Sequence, residues 1–295
     1  MRIPALALTI GLLASAQTSS SHSTAFWRGV VQHGYDVPDG MTASQLAPEL
    51  IDSLGSTDPE LRDDLAESIL TRWIYTKKLL GPDDLRLLTQ RLEANLRIGI
   101  GESQGDGVLL RSFSALTLSV MAARENETPF LGREGFQRLV EAALGYFRDE
   151  HDTRGYDGAK GWMHSVAHTS DLLKFLARNP LLAAADQTRM LAAMTAKARE
   201  TSSAFSQGED ERMARIAISI IRRSDFDREA FTAWLALGQT AAAFPAHVTP
   251  EALRSQQNAR HLMMALWTEL SADDRPSEGA DFARLALRDA LKKLF

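Results

Sequence analysis

The hydrophobic positions along the chain repeat with the period of a helix. Leu61, Leu65, Ile69 and Trp73 recur every four residues and draw one stripe down one helical face. Leu85, Leu88, Leu92 and Leu96 repeat the pattern, and that segment stops before Gly99. Helix starts are marked as clearly. Asp58-Pro59-Glu60, Gly81-Pro82-Asp83-Asp84 and Thr249-Pro250-Glu251 put proline at or near the first helical position. There its missing N–H costs nothing, and the acidic residues that follow suit the positive end of the helix dipole. Further amphipathic helices are expected at about 42–54, 108–124, 133–147, 162–178, 187–201, 210–222, 228–238, 250–270 and 280–294.

Most connections between these segments are short, so sequence neighbours should pack antiparallel as stacked helical hairpins. The expected architecture is all-α: one domain over 42–295, built as an irregular α-solenoid of HEAT or armadillo type. A closed α/α toroid is the alternative. Ser202–Asp210 and Ser271–Gly279 are polar and read as the loosest joints. Composition adds weight to the helical reading. The chain has 42 Ala and 40 Leu against 8 Val and 11 Ile, and the first pair favours helices where the second favours strands.

Charge and cysteine content narrow the function. A net charge of −5 argues against nucleic-acid binding, which needs a basic face. With no cysteine, disulfides, Cys-based metal sites and thiol nucleophiles are excluded. At the start of the chain, Arg2 precedes an apolar run from Ile3 to Ala16 that ends in Ala14-Ser15-Ala16. These are the parts of a secretory signal peptide, too short for a comfortable transmembrane helix. The expectation is a signal at 1–16 cleaved after Ala16, a polar segment at 17–41, and an exported protein, periplasmic or secreted. No later stretch reads as a membrane span.

Candidate chemistry concentrates between Asp149 and Asp171. If 162–178 is helical, His164, His168 and Asp171 fall within about 60° of one another on the wheel. Trp162, Val166, Thr169, Leu173 and Leu176 form the opposite, buried face. Two histidines four residues apart can share one divalent metal ion. Asp171 lies about 10 Å further along the axis than His164, so it would orient His168 or bind substrate. Further ligands would come from Asp149, Glu150, His151, Asp152 or Asp157. A zincin motif is excluded because Ser165 stands where that motif needs Glu. The same pattern also describes an interhelical hydrogen-bonded pair, or acid–base use without metal. Phe175 lies in the same stripe, and small residues at 165, 167, 169 and 170 would let a neighbour come close.

A second stretch runs from Gly99 to Gly107. Its glycines follow a helix rather than a strand, so a phosphate-binding loop is excluded, and Asp106 should cap the next helix. Glu102 and Arg111 would share a rim with Asp152, Arg154, Tyr156, Lys160 and Trp162. No nucleophile elbow is present, and Ser165 sits mid-helix. Trp27, Trp73, Trp162, Trp234 and Trp267 read as core or groove residues.

Three blocks resemble a known family. They are Asp58-Pro59-Glu60-Leu61-Arg62-Asp63 with Thr71-Arg72-Trp73-Ile74; Gly99-Ile100-Gly101-Glu102 with Arg111-Ser112-Phe113-Ser114; and Arg154-Gly155-Tyr156 with the run from Lys160 to Leu173. Over residues 57–180 the chain is similar to the bacterial family catalogued as domain of unknown function 2785. The resemblance implies an all-helical fold and supplies no activity. The family's usual form has Ala in place of Met163, and many members lack a signal peptide, so a cytoplasmic relative's role need not transfer. Two functions fit these readings. One is a helical scaffold that binds a peptide, protein or glycan at the rim formed by 99–112 and 149–171. The other is a hydrolase in which His164 and His168 act as metal ligands or acid–base groups with Asp171.

Overall fold

The computed structural model describes residues 22–294, and the expected signal segment 1–16 lies outside them. The chain is all-α. Its helices are α1 (Thr24–Gln32), α2 (Ala43–Ser53), α3, α4 (Pro82–Asn95), α5 (Gly107–Glu127), α6 (Gly132–Asp149), α7 (Ser165–Ala177), α8 (Ala184–Glu200), α9 (Glu209–Ile221), α10 (Arg228–Ala242), α11 (Pro250–Ala272) and α12 (Glu278–Leu291). Helix α3 is composite: π turns at Glu60–Glu67 and Arg72–Thr76 flank one α turn at Ser68–Thr71. A hairpin of strands β1 (Tyr156–Asp157) and β2 (Gly161–Trp162) precedes α7. No helix among the described residues is long and apolar enough to cross a membrane.

Local sequence accounts for most boundaries. Thr42 and Gln45 form a reciprocal capping box at the start of α2. Pro82 and Pro250 stand in the first turns of α4 and α11. Two boundaries differ from expectation. The segment 17–41 contains α1, capped by Ser23, whose Trp27 and Val30 are buried in the main core. Five of its nine residues are polar or small, which hides that helix from a periodicity reading. Helix α7 begins at Ser165 rather than at 162, because Trp162 belongs to the hairpin.

The helices form two rows. Helices α3, α5, α7, α9 and α11 contact one another in succession, and so do α2, α4, α6, α8, α10 and α12. Neighbours such as α4 with α5, α6 with α7, and α10 with α11 pack across the rows. Helices α11 and α12 make no substantial contact with α1–α5 among the described residues. The connections expected to be loose are tied down. Phe205 is buried and its N–H donates to Asn258 Oδ1 at 2.8 Å, while Asp273 accepts from Arg222 and Arg275.

Helices α5 and α7 lie at the centre of their row and are buried almost all round. That position explains why they carry so many small hydroxyl residues. Thr117, Thr169 and Ser170 each donate to the carbonyl four residues back, at 2.9, 2.7 and 2.7 Å. Their polar atoms are thereby satisfied within the helix, as burial requires, and the helices can approach closely.

Candidate functional site

The site is built where the β-hairpin turns into α7. Asp157 Oδ1 accepts from the N–H groups of Ala159 and Lys160, both at 2.9 Å, which closes the hairpin turn. Gly161 follows at φ 73, a left-handed conformation that glycine adopts freely. A Cβ there would also lie 3.0 Å from Pro59 Cβ of the segment entering α3. His164 then takes φ 50 and ψ 34 immediately before the helix. A left-handed conformation is costly for a side chain of this size and is held by its surroundings. Met163 N–H donates to Gly155 O at 2.8 Å and His164 N–H to Arg154 O at 3.0 Å.

Because His164 precedes the helix, it does not share a helical face with His168 in the way the wheel implied. Both histidines are nonetheless neighbours, with ring centroids 5.6 Å apart. They form part of a ladder of rings that runs inward from the surface. Tyr156 meets Trp162 at 5.0 Å, Trp162 stacks on His164 at 4.6 Å and 19°, and His168 meets Phe113 edge-on at 5.0 Å. The Arg62 guanidinium closes the ladder 4.7 Å from the Phe113 ring. Exposure falls along it, from Tyr156 at 56% and Trp162 at 38% to His164 at 7%, His168 at 6% and Phe113 at 2%. Trp162 is thus on the surface, beside Tyr156 of the expected rim, and not on the buried face that the helical wheel gave it.

Hydrogen bonds fix the roles of the ring nitrogens. The Ser112 hydroxyl has one proton and donates it to Met163 O, so its oxygen accepts from His168 Nδ1 at 2.8 Å. His164 Nε2 lies 3.1 Å from Gln207 O, an acceptor, and 3.6 Å from Glu209 Oε1. Burial holds His168 well below the ordinary histidine value, with the nearby His164 and Arg212 acting in the same direction. His164 is also lowered, chiefly by burial, against the pull of Glu209. Asp171 does not orient His168. It accepts from Lys174 Nζ at 2.7 Å and from Arg212, while Ser112 positions the histidine instead.

The two stretches singled out from the sequence do meet. Lys160 Nζ pairs with Asp106 at 2.5 Å, and Arg154 Nη2 donates to Gly105 O at 2.6 Å while pairing with Asp152. Asp106 therefore stands at the start of α5 without capping it through its side chain. Glu102 is exposed, but Arg111 and Asp152, expected on the rim, are buried at 1% and 2% exposure. Arg111 forms a forked pair with Glu150, at 2.6 and 3.2 Å, and its Nη1 caps Ile98 O and Gly99 O at 3.0 Å each. Among the described residues, no group of three or more His, Asp or Glu side chains is arranged to hold a metal ion.

Residues the pattern did not mark complete the site. Arg62 is fully buried and donates to Lys160 O at 2.6 Å and Ser56 O at 2.7 Å, which pins the hairpin to α3. An arginine followed by Asp63 and Asp64 reads in sequence as part of a solvated face. Gln207 reaches back to hold the hairpin, accepting from Tyr156 N–H at 2.8 Å. No local signal announces it.

Buried neutral histidines give a pH dependence with a definite sign. A histidine whose folded-state pKa is depressed stabilises the fold above its unfolded value of about 6.5, and this is lost as pH falls. His168 should cost up to about 1.4 kcal/mol of stability per pH unit below about 6.5. Asp63, pushed up to about 6 by burial, works in the opposite direction below that pH, because the folded state then holds the extra proton. The histidine contribution is isolated by comparing urea unfolding of the protein and of His168→Gln between pH 7.5 and 5. The variant should have the shallower acid-side slope. Equal slopes would mean that His168 titrates normally in the folded state.

No match was found among curated proteins or among solved structures. A family model does match, over residues 96–271. That span holds the hairpin, both histidines, Ser112 and Gln207, and extends through most of α11. It leaves out the 58–74 block and with it Arg62. The family is described as "Protein of unknown function (DUF2785)", and the chain belongs to it.

Proposed function

We propose that this is an exported binding protein whose recognition surface is the β-hairpin face, and that its partner is a peptide or protein. One observation carries the reading. Tyr156 and Trp162 stand exposed side by side, 5.0 Å apart, on a hairpin whose inner end is stacked against buried rings. Exposed aromatics on a rigid support suit a contact hot spot, which favours Trp, Tyr and Arg. Arg154, Lys160 and Asp106 border the pair as partly exposed charges and supply the polar rim such a contact needs. Export rests on Arg2 and the Ile3–Ala16 run. The net charge of −5 argues against nucleic acid as the partner.

The hydrolase alternative draws on the Ser112–His168 contact, since 2.8 Å is the separation of a nucleophile and its base. Its surroundings argue against that use. Ser112 has no exposed surface and donates its proton to a backbone carbonyl, and Asp171 is occupied by Lys174 and Arg212. The pair reads better as a support that locks α5 to the hairpin.

The test is selection of a random peptide library on the mature protein, with counter-selection on Tyr156→Ala/Trp162→Ala. Both substitutions are on the surface, so the variant should fold normally. Peptides recovered this way should lose at least about tenfold in affinity, about 1.4 kcal/mol, on the variant. Peptides that bind both proteins equally would refute this recognition surface. Binding of a glycan panel without any peptide, dependent on the same two residues, would replace the peptide with a sugar.

A further inference from the structure

A second feature lies on the other row, between α6 and α8. A groove of about 480 Å3 exists elsewhere, beside α11, but its polar lining of Asp210, Glu211, His261 and Glu269 is half-buried or exposed, and none of the four is enclosed. The groove between α6 and α8 is different. It has a volume of about 310 Å3 and a floor of Leu144, Phe147, Ala192, Ala193 and Ala196. Lys197 lines it and is only 6% exposed.

That ammonium group is short of partners. Lys197 Nζ donates to Glu150 O at 2.9 Å, a backbone carbonyl, and lies 5.5 Å from the Phe147 ring centroid. It forms no salt bridge among the described residues, since the Glu150 carboxylate is taken by Arg111. An ammonium has three protons to donate. A charge so far removed from water is costly unless a counter-charge meets it, and here the Glu150, Glu200 and Asp149 carboxylates act on it only from beyond salt-bridge distance. Burial lowers this lysine to about 8, which leaves it mostly protonated at neutral pH. At the mouth stand Arg148 and Arg189, each already paired with a carboxylate, and Glu200. The lining thus carries three cations and one carboxylate over an apolar floor.

We propose that the groove between α6 and α8 binds an aliphatic carboxylate, with Lys197 receiving the carboxylate and the alanine-rich face of α8 receiving the chain. An apolar floor beside a buried ammonium that no carboxylate contacts is complementary to a molecule with an apolar tail and one negative end. The site lies apart from the hairpin face and would hold whether or not that face binds a peptide.

The probe is octanoate, well below the concentration at which it aggregates, titrated calorimetrically into the protein, with 1-octanol as the uncharged control. Octanoate should bind saturably, and octanol at least about tenfold more weakly. Lys197→Met keeps the length and apolar character of the side chain and should remove that preference. Ala196→Phe, an exposed position on α8, should weaken octanoate by a similar factor by filling the groove. Absence of saturable octanoate binding would overturn the proposal, and so would equal binding of octanol or unchanged binding by Ala196→Phe. Should Lys197→Met fail to fold, the octanoate–octanol comparison and Ala196→Phe decide the matter without it.

Discussion

Replacing Arg111 by Met should destabilise the protein by about 3–5 kcal/mol, the usual cost of removing one partner of a buried ion pair. Arg111 and Glu150 are both almost fully buried and joined by two hydrogen bonds. Without the guanidinium, the Glu150 carboxylate retains the Asp152 N–H at 3.0 Å and no opposite charge in contact. It must then take up a proton or draw in water. The carbonyls of Ile98 and Gly99 lose their donor as well, which undoes the turn that follows α4. The Arg111→Met/Glu150→Gln double variant removes the stranded charge and should recover part of the loss, though not the carbonyl bonds. Urea unfolding of the wild type, both single variants and the double variant measures this coupling directly. A loss below about 1 kcal/mol for Arg111→Met would show that the pair contributes little.

Arg62→Met should cost about 3 kcal/mol by the same chemistry, with unsatisfied carbonyls added to the loss of the counter-charge that stands 2.7 Å from the Asp63 carboxylate. Arg62 holds Lys160 O and Ser56 O and lies against Phe113, so its removal leaves two half-buried acceptors unmet and loosens the hairpin from α3. The second consequence separates this residue from an ordinary core position. The hairpin should open before the rest of the molecule, and amide exchange at Met163 and His164, whose N–H groups bond Gly155 and Arg154, should rise selectively. Uniformly faster exchange across all helices would instead mean that Arg62 stabilises only the global fold. Because the hairpin carries Tyr156 and Trp162, the variant should also weaken any peptide that binds there.

Much of the fold is legible in the chain, and the reasons are local. The three- and four-residue spacing of Leu85, Leu88 and Leu92 and the proline at 82 are sufficient to mark α4, since an amphipathic face and a start signal act within one helix. The site was legible in part. The stretch from 149 to 171 does meet the 99–112 segment, but the contacts within it differ from those that helical spacing implies. Helical periodicity runs three residues too far, across Trp162, Met163 and His164, because nothing local signals that Gly161 and His164 adopt left-handed backbone. Asp171 is three residues from His168 on the same helix, yet Lys174 and Arg212 compete for it, and Arg212 comes from α9.

The sequence by itself determined that this protein is helical, where most of its helices begin and end, and that cysteine chemistry has no part in it. These properties depend on residue types and on spacings shorter than two turns. Only the tertiary structure decided which polar residues are buried and which face solvent. Arg62, Arg111 and Lys197 are ordinary surface residues by type, and each is enclosed because helices distant in sequence close over it. A helical pattern states which face is apolar, but α5 and α7 are covered on nearly every face. Their polar residues are buried by neighbours on both sides, a consequence of place in the row that no single helix can encode.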